Sequence, residues 1–215
     1  MNVGASFQRA RRPEQIRQRR LAVLEAARAE IATSRLDGIS IRRIAERSGL
    51  SKTNVLHYFP SREAIFLDLL DSLWGEWLEE LERVLPAGVG PGPVAASIAS
   101  NLAKRPELCE LSAALNSVLE RNVPLEVAVD FKARAVEHHR ALARLFEAAL
   151  GLTAEQAEFA AMSALVLVAG LWPFCTPTAV VRQACDRLGL GDPADSFETL
   201  LTAALTAQLI GVAAR

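Results

Sequence analysis

The amino-acid sequence predicts an all-α protein, in which a small N-terminal domain of three helices precedes a larger helical domain. Hydrophobic residues make up 51% of the 215 positions and aromatic residues only 6%, and Ala and Leu dominate, which favours helices. Apolar residues recur every three to four positions, and no segment alternates between apolar and polar residues as a strand would. A chain of this length can bury one large core or two modest ones.

The first predicted helix extends from about Glu14 to Arg35 and ends at an Asp-Gly pair. Its inward face carries Ile16, Leu21, Leu24, Ala27 and Ile31. Residues 1–13 contain three arginines, Arg9, Arg11 and Arg12, and no apolar period, so we expect a flexible basic arm there. Such an arm is either a solvated tail or a segment that contacts a nucleic acid beside the main binding element.

Residues 40–62 (SIRRIAERSGLSKTNVLHYFPSR) predict two short helices joined by a tight turn. Ser40 and Ser51 are residues that cap helix N-termini, and Gly49 supplies the backbone freedom needed just after a helix end. Pro60 ends the second helix. Two helices in this arrangement are typical of a helix-turn-helix, whose second helix enters the major groove of DNA.

The two faces of these short helices differ in chemistry. The inward face is expected to contain Ile41, Ile44, Ala45, Val55, Leu56 and Phe59. The outward face of the second helix carries Lys52, Thr53, Asn54, His57 and Tyr58. A helix that shows small polar and basic side chains to solvent can contact both base edges and phosphates.

Residues 20–67 resemble the DNA-binding domain of the TetR family of bacterial transcription regulators. The segments that carry the resemblance are RLAVLEAA, GISIRRIAERSGLSK and HYFPSREAIF. One position departs from the family pattern, since Leu56 stands where many members have a Tyr whose hydroxyl contacts a phosphate; Tyr58 could supply that hydroxyl. The resemblance implies a homodimer that binds a palindromic operator as a repressor and is released by a small-molecule effector.

The charge distribution agrees with a nucleic-acid-binding N-terminal domain. The formal net charge is −1, but residues 1–62 contain 13 basic and five acidic residues, whereas the remainder contains 11 basic and 20 acidic ones. A basic segment attached to an acidic one is the electrostatic pattern of a nucleic-acid-binding module joined to a different module.

We therefore predict DNA contacts of two kinds. Phosphate contacts, which give affinity without sequence information, are assigned to Arg20, Arg42, Arg43, Lys52 and Arg62 and to Arg9, Arg11 and Arg12 of the arm. Ser40, Ser51 and Tyr58 are also predicted to bind DNA, Tyr58 through the hydroxyl that Leu56 lacks. Base contacts are assigned to Thr53, Asn54 and His57, because Asn can pair with adenine through two hydrogen bonds and a Thr methyl can touch a thymine methyl.

The rest of the chain predicts a helical body. A fourth helix, from Arg62 to about Leu85, has a wide apolar stripe and would join the DNA-binding domain (14–61) to the effector-binding and dimerisation domain (62–215). Further helices are predicted at 93–104, 106–121, 124–150, 153–172, 178–188 and 194–213. The helices at 153–172 and 194–213 resemble the pair that forms a four-helix dimer interface in the TetR family.

The resemblance also implies a small-molecule pocket in the body, whose occupancy moves the fourth helix. Candidate lining residues are Trp74, Trp77, Asn116, Phe131, His138, Trp172, Phe174 and Cys175. The aromatic residues have an alternative role as ordinary core, and Asn116 needs a partner that a ligand or a backbone group could supply. Pro173 is expected to break its helix and leave free carbonyls near Phe174 and Cys175.

Other classes of protein receive little support. The chain has no GxSxG, HExxH or P-loop motif, so we expect no enzyme, no cofactor and no metal site. Three widely spaced cysteines and an Arg-rich N-terminus without an apolar core favour a reducing cytoplasm and argue against a secretory signal. The apolar stretch 160–175 is shorter than a membrane span, so we expect a buried core helix and no membrane contact.

Two alternatives remain open. The chain could be a regulator that responds to no ligand or to a protein partner. It could also be a helical interaction module whose basic N-terminal domain contacts RNA, another nucleic acid or acidic partners.

Overall fold

The computed structural model describes the backbone of residues 4–214 and the side chains of residues 13–214 except Asp195. Within residues 4–214 there is no strand, which confirms the predicted all-α fold. The helices are α1 (Gly4–Ile31), α2 (Ile41–Ser48), α3 (Lys52–Tyr58), α4 (Arg62–Val84), α5 (Pro91–Ala103), α6 (Pro106–Ala114), α7 (Leu125–Leu150), α8 (Ala154–Cys175), α9 (Ala179–Arg187) and α10 (Phe197–Ala213). Short 3₁₀ turns occupy Leu36–Gly38 and Pro193–Ser196, and a π-helical segment occupies Leu115–Leu119.

The first helix begins earlier than predicted. α1 starts at Gly4 instead of Glu14, so the backbone of the expected arm is helical from that residue onward. The Ala, Gln and Arg residues of this segment favour helix, and Pro13 removes only one backbone donor within it. The side chains of Arg9, Arg11 and Arg12 lie outside the described side chains, so their predicted DNA contacts stay predictions.

Two elements of the body also differ from prediction. The helix expected at 106–121 changes to π-helical geometry at Leu115, and α8 continues through Pro173 to Cys175. Thr176 donates to the Trp172 carbonyl through both its N–H (2.9 Å) and its Oγ1 (2.7 Å), so that carbonyl is not free. A proline one turn from the helix end removes a single backbone hydrogen bond, which the last turn tolerates.

We call α1–α3 the head and α4–α10 the body. α4 packs against α1 in the head and against α6 and α7 in the body, so it links the two parts. The body is completed by α8, which lies against α6, α7 and α10, and by α5, which lies against α10. The buried side chains form a continuous core from Val23 in α1 to Val212 in α10. Because this core is closely packed, a displacement of α4 would change the packing of both the head and the body.

α8 is the most apolar long helix, and with 22 residues it is long enough and apolar enough to cross a membrane. The expectation that this stretch is shorter than a span was therefore wrong, because the helix begins at Ala154. Nor is α8 a fully buried core helix: 28% of its most apolar window is buried, and Met162 and Val166 are more than half exposed. α9 has no buried residue.

Candidate nucleic-acid interface and internal cavity

The turn between α2 and α3 is built by local hydrogen bonds. Ser40 Oγ accepts from the Arg43 N–H (3.3 Å), and Ser51 Oγ accepts from the Asn54 N–H (3.2 Å), so each serine caps a helix N-terminus. Gly49 ends α2 with a φ of 70°, in the left-handed region where a side chain would be strained. These contacts fix the angle at which α3 leaves α2.

α3 separates a buried face from a polar exposed face. Val55 and Phe59 are 0% and 2% exposed and anchor the helix in the head. Lys52, Thr53, Asn54 and His57 are exposed, and their side chains make no hydrogen bond or ion pair within the described part of the chain. The base-reading residues predicted from the sequence therefore share one accessible surface.

Leu56 does not pack inward as expected. Its exposed fraction is 38%, because it lies about 100° around the helix from Val55 and so leaves the face that Val55 and Phe59 share. Tyr58, the proposed source of the missing hydroxyl, is half-buried, and its Oη accepts a hydrogen bond from Arg19 in α1 (3.1 Å). The hydroxyl thus ties α3 to α1.

Three of the arginines assigned to phosphates have internal partners, beginning with Arg20 and Arg62. Arg20 donates to the Tyr58 carbonyl (2.8 Å), pairs with Asp68 and lies 4.3 Å from the centre of the Phe59 ring. Arg62 donates to the Ile39 carbonyl (3.0 Å) and to its neighbouring glutamate. Arg20 therefore ties α1 to the end of α3 and to α4, and Arg62 ties the start of α4 to the segment before α2, so phosphate contact would have to use the remaining part of each guanidinium.

Arg43 is the third arginine with internal partners, and Arg42 is arranged differently. Arg43 donates to Ser34 Oγ (3.0 Å) and to the Gly38 carbonyl (3.2 Å) and forms an ion pair with Glu30 (2.6 Å). Among the described residues Arg42 has one polar partner, Glu46 on its own helix, and its side chain is 82% exposed. Arg42 and Lys52 are therefore the cations best able to reach out to a phosphate.

Glu30 is the charged centre of the head. Its side chain is 6% exposed and lies between Arg43 (2.6 Å) and Arg47 (2.7 Å), both on α2. A buried carboxylate is stable only when it is paired, so Glu30 fixes α2 on α1 through both arginines.

A second set of ion pairs connects the head to the body through α4. Asp68 pairs with Arg20 of α1 and with Arg134 of α7 (3.0 Å), and Arg134 also contacts Asp71 one turn along α4 (2.8 Å). His138 is 2.9 Å from the other oxygen of Asp71. Burial raises the pKa of Asp71, but the hydrogen bond with His138 and the charge of Arg134 outweigh it and hold the pKa below its ordinary value.

The body contains a cavity of about 640 Å³ between α4, α6, the π-helical segment, α7 and α8. Its lining consists of Trp74, Ser112, Leu115, Asn116, Lys132, Ala135, Val136, His139, Met162, Leu165, Val166, Ala169 and Gly170. Of the eight residues proposed from the sequence, Trp74 and Asn116 line this cavity. Asn116 is exposed to it instead of being buried in apolar surroundings, because the π-helical segment turns it outward.

The other six candidates lie elsewhere. Phe131 is 1% exposed and stacks on Trp74 with 6.2 Å between ring centres, and Trp77 is a core residue. His138 pairs with Asp71, and Trp172 donates to Glu110 (2.9 Å) beside two clefts between head and body. Phe174 is 70% exposed and Cys175 is buried, so neither forms the predicted pocket wall, since α8 does not break at Pro173.

Sequence reasoning missed Lys132 and His139 as cavity residues. They lie seven positions apart on α7, with Ala135 and Val136 between them at helical spacing, so all four occupy one face. This spacing did not single out His139, because Phe131, His138 and Leu142 form an equally regular face of α7.

Comparison with known protein families finds a matching family model for each of the two parts of the chain. Residues 23–69 match the family model described as bacterial regulatory proteins, tetR family, and residues 71–215 match the model described as tetracyclin repressor-like, C-terminal domain. The HTH-type transcriptional regulator RutR of Escherichia coli (strain K12) is 34% identical over 82 residues, which is 38% of this chain and 39% of RutR. The chain thus matches about two fifths of the length of that relative.

Solved structures share the whole fold at low sequence identity. A TetR transcriptional regulator from Rhodococcus sp. RHA1 has a TM-score of 0.59 at 18% identity, over 92% of this chain and 98% of that one. FadR from Bacillus subtilis, crystallised with stearoyl-CoA, has a TM-score of 0.52 at 16% identity, over 87% of this chain and 98% of that one. These likenesses concern the fold alone.

Proposed function

The chain belongs to the TetR family of bacterial transcriptional regulators, and we propose that it is a homodimeric repressor released from a palindromic operator by a small molecule. The observation that carries this proposal is the exposed face of α3. Its polar side chains have no hydrogen bond or ion pair within the described part of the chain, whereas the opposite face is fully packed. A rigid helix with such a face suits a major groove.

DNA recognition would divide between the exposed residues of α2 and α3. Asn54 can form two hydrogen bonds with an adenine, and Thr53 can contact a thymine methyl. Arg42 and Lys52 would neutralise phosphates, which adds affinity that falls with salt. The internal pairs of Arg20, Arg43 and Arg62 would hold these side chains in place more than they contact DNA.

Dimerisation would use what we call the α8–α10 surface, the exposed apolar side chains Met162, Val166 and Ile210. They are 53%, 63% and 55% exposed, on two helices that pack against each other. Because Met162 and Val166 also line the cavity, the dimer mate would lie over its open side. Two copies that bury this surface would present two α3 helices to a palindrome, since half-site spacing mirrors the two-fold symmetry of a dimer.

Release would pass through α4. Ligand in the cavity would contact Trp74 of α4 and the face of α7 that carries Lys132 and His139. α7 holds α4 through Arg134, which binds Asp68 and Asp71, and Asp68 also holds Arg20 in the head. A shift of α7 against α4 would therefore change the position of α3 relative to its dimer mate.

The cavity has the size expected of an effector site. Ligand pockets have volumes of about 300–1,000 Å³, and the cavity measures about 640 Å³. FadR from Bacillus subtilis, which shares the fold, was crystallised with stearoyl-CoA, and this supports a ligand-responsive body. The three free cysteines are consistent with a cytoplasmic location, and the family matches point to regulation and not to catalysis.

Selection of bound duplexes from a random pool tests the proposal. The purified protein should enrich a palindrome at moderate salt, and the complex should contain two chains. Its affinity should fall steeply as salt rises, with a slope set by the number of phosphates contacted. No enrichment, or a preference for single strands and other polyanions, would instead indicate the interaction module.

A further inference from the structure

The 640 Å³ cavity has an apolar middle and a polar side chain of α7 toward each end. Lys132 and His139 lie seven residues apart on α7, which corresponds to about 10 Å along the helix. Lys132 lies at the end formed by the π-helical segment, whereas His139 is bound to the Glu158 carbonyl at the other end (3.1 Å). Between them the walls are Trp74, Leu115, Val136, Leu165 and Val166.

Two further polar side chains that line the cavity, Ser112 and Asn116, make no hydrogen bond with any described residue. Asn116 is exposed on the cavity wall, whereas Ser112 is only 9% exposed. A buried hydroxyl such as that of Ser112 is almost always hydrogen-bonded in folded proteins. Both side chains line the cavity and are therefore available to a bound molecule.

Glu120 would compete with a bound anion for Lys132. Its Oε1 is 2.6 Å from Lys132 Nζ, in an ion pair whose geometry is not that of a hydrogen bond. A carboxylate in the cavity could take the place of Glu120 on Lys132 and also accept from Asn116, which lies four residues before Glu120. The exchange would replace one contact by two.

The backbone at this end is also unusual. Leu115–Leu119 is π-helical, a geometry that is rare and occurs frequently at functional sites. Here the wider turn places Asn116 on the cavity wall, four residues before Glu120.

On the basis of the proposed function, we propose that the effector is an amphipathic organic acid. Its apolar body, about 10 Å long, would lie along α7 between Trp74 and Leu165. Its carboxylate, or a group of similar charge, would bind Lys132 and Asn116 in place of Glu120, and the Ser112 hydroxyl would be open to a polar group further along the same wall.

Binding of octanoate and 1-octanol to the DNA-free protein tests this proposal. The two probes have the same chain and differ only in the charged head, and calorimetry or displacement of a fluorescent naphthalene sulfonate measures their affinities. Octanoate should bind about tenfold more tightly than octanol, since hydrogen bonds to charged groups are strong. Lys132→Met should abolish this preference, whereas Lys104→Met, which removes an exposed lysine outside the cavity, should keep it.

A further variant separates Glu120 as a competitor from Glu120 as a structural support. Glu120→Gln should bind octanoate about threefold more tightly, because the lysine is freed from a competing anion. Four results would each overturn the proposal. They are equal affinities for octanoate and octanol, a preference for octanoate that survives Lys132→Met, weaker octanoate binding by Glu120→Gln, and no binding of either probe up to its solubility limit.

Operator titrations with and without octanoate then separate the two proposals. If octanoate binds through Lys132 but the operator complex is unaffected, the ligand chemistry stands and effector release fails. If the protein binds an operator but does not prefer the acid, only the ligand chemistry fails.

Discussion

Glu30→Gln should destabilise the head because it removes the one charge that holds two arginines of α2. The Glu30 side chain is 6% exposed, and Arg43 and Arg47 lie 2.6 and 2.7 Å away. Gln has nearly the same shape, so the substitution leaves no cavity and tests the charge alone.

The expected loss of unfolding free energy depends on how exposed the two arginine partners of Glu30 are. Breaking a fully buried ion pair costs about 3–5 kcal/mol, and an exposed pair contributes about 0–1 kcal/mol. The Arg43 and Arg47 side chains are 43% and 45% exposed, so water can solvate them once Glu30 is neutral. We therefore expect a loss of about 2 kcal/mol, equivalent to a decrease in Tm of about 4–8 °C for a chain of this size.

Thermal unfolding followed by circular dichroism measures this effect, at matched protein concentration because the Tm of a dimer depends on concentration. The control is Glu46→Gln, whose pair with Arg42 has side chains 62% and 82% exposed, and it should lower the Tm by about 2 °C or less. If Glu30→Gln and Glu46→Gln melted at the same temperature, Glu30 would not organise the head as described.

Three further predictions concern the coupling, the dimer and the thiols. The effector should weaken operator binding by the Arg134→Gln variant about fivefold less than it weakens binding by the unmodified protein, because the substitution removes the link between α7 and α4. Arg140→Gln, on an exposed face of α7, should leave the effect of the effector unchanged. Fluorescence anisotropy titrations measure both variants, and equal behaviour would refute the link. Ile210→Glu places a charge on the exposed apolar face of α10 and should give a folded monomer in analytical ultracentrifugation. The control Val89→Glu, in an exposed loop, should remain a dimer. A dimeric Ile210→Glu variant would exclude α10 from the interface. Burial raises the pKa of Cys109 to about 12. At pH 8 iodoacetamide should therefore label the half-buried Cys185 in the folded protein, and Cys109 only after denaturation. Mass spectrometry measures the labelling, and equal rates for the two cysteines would contradict the described core.

Local patterns in the sequence predicted most of the helices. Pro106 is the first residue of α6, Pro124 precedes α7 and Gly151 follows α7, each where a helix is expected to begin or end. α4 ends within one residue of its predicted limit. α1 was predicted less well, because a proline permits a helix boundary without requiring one. The π-helical segment has no comparable signature, since it depends on how α6 meets α7.

The roles of individual side chains were harder to predict, because their partners are distant in sequence. Arg20 resembles a phosphate contact until Asp68, 48 positions later, is seen beside it. The cavity illustrates the same limit, since one step along α7 turns a side chain by about 100°, so the sequence alone did not distinguish His138 from His139. In α3, by contrast, the local pattern correctly predicted the buried Val55 and the exposed side chains of residues 52–54 and His57, and it failed at Leu56 and Tyr58.

The central claim, that α3 reads base sequence, is tested most directly by comparing Asn54→Ala with Lys52→Ala on the selected operator and on all its single-base variants. Asn54→Ala should lose discrimination at one position in each half-site, by about 1–3 kcal/mol, and change little elsewhere. Lys52→Ala should weaken binding to all duplexes alike and reduce the salt slope by about one. If both variants weakened every duplex equally, α3 would not be the recognition helix.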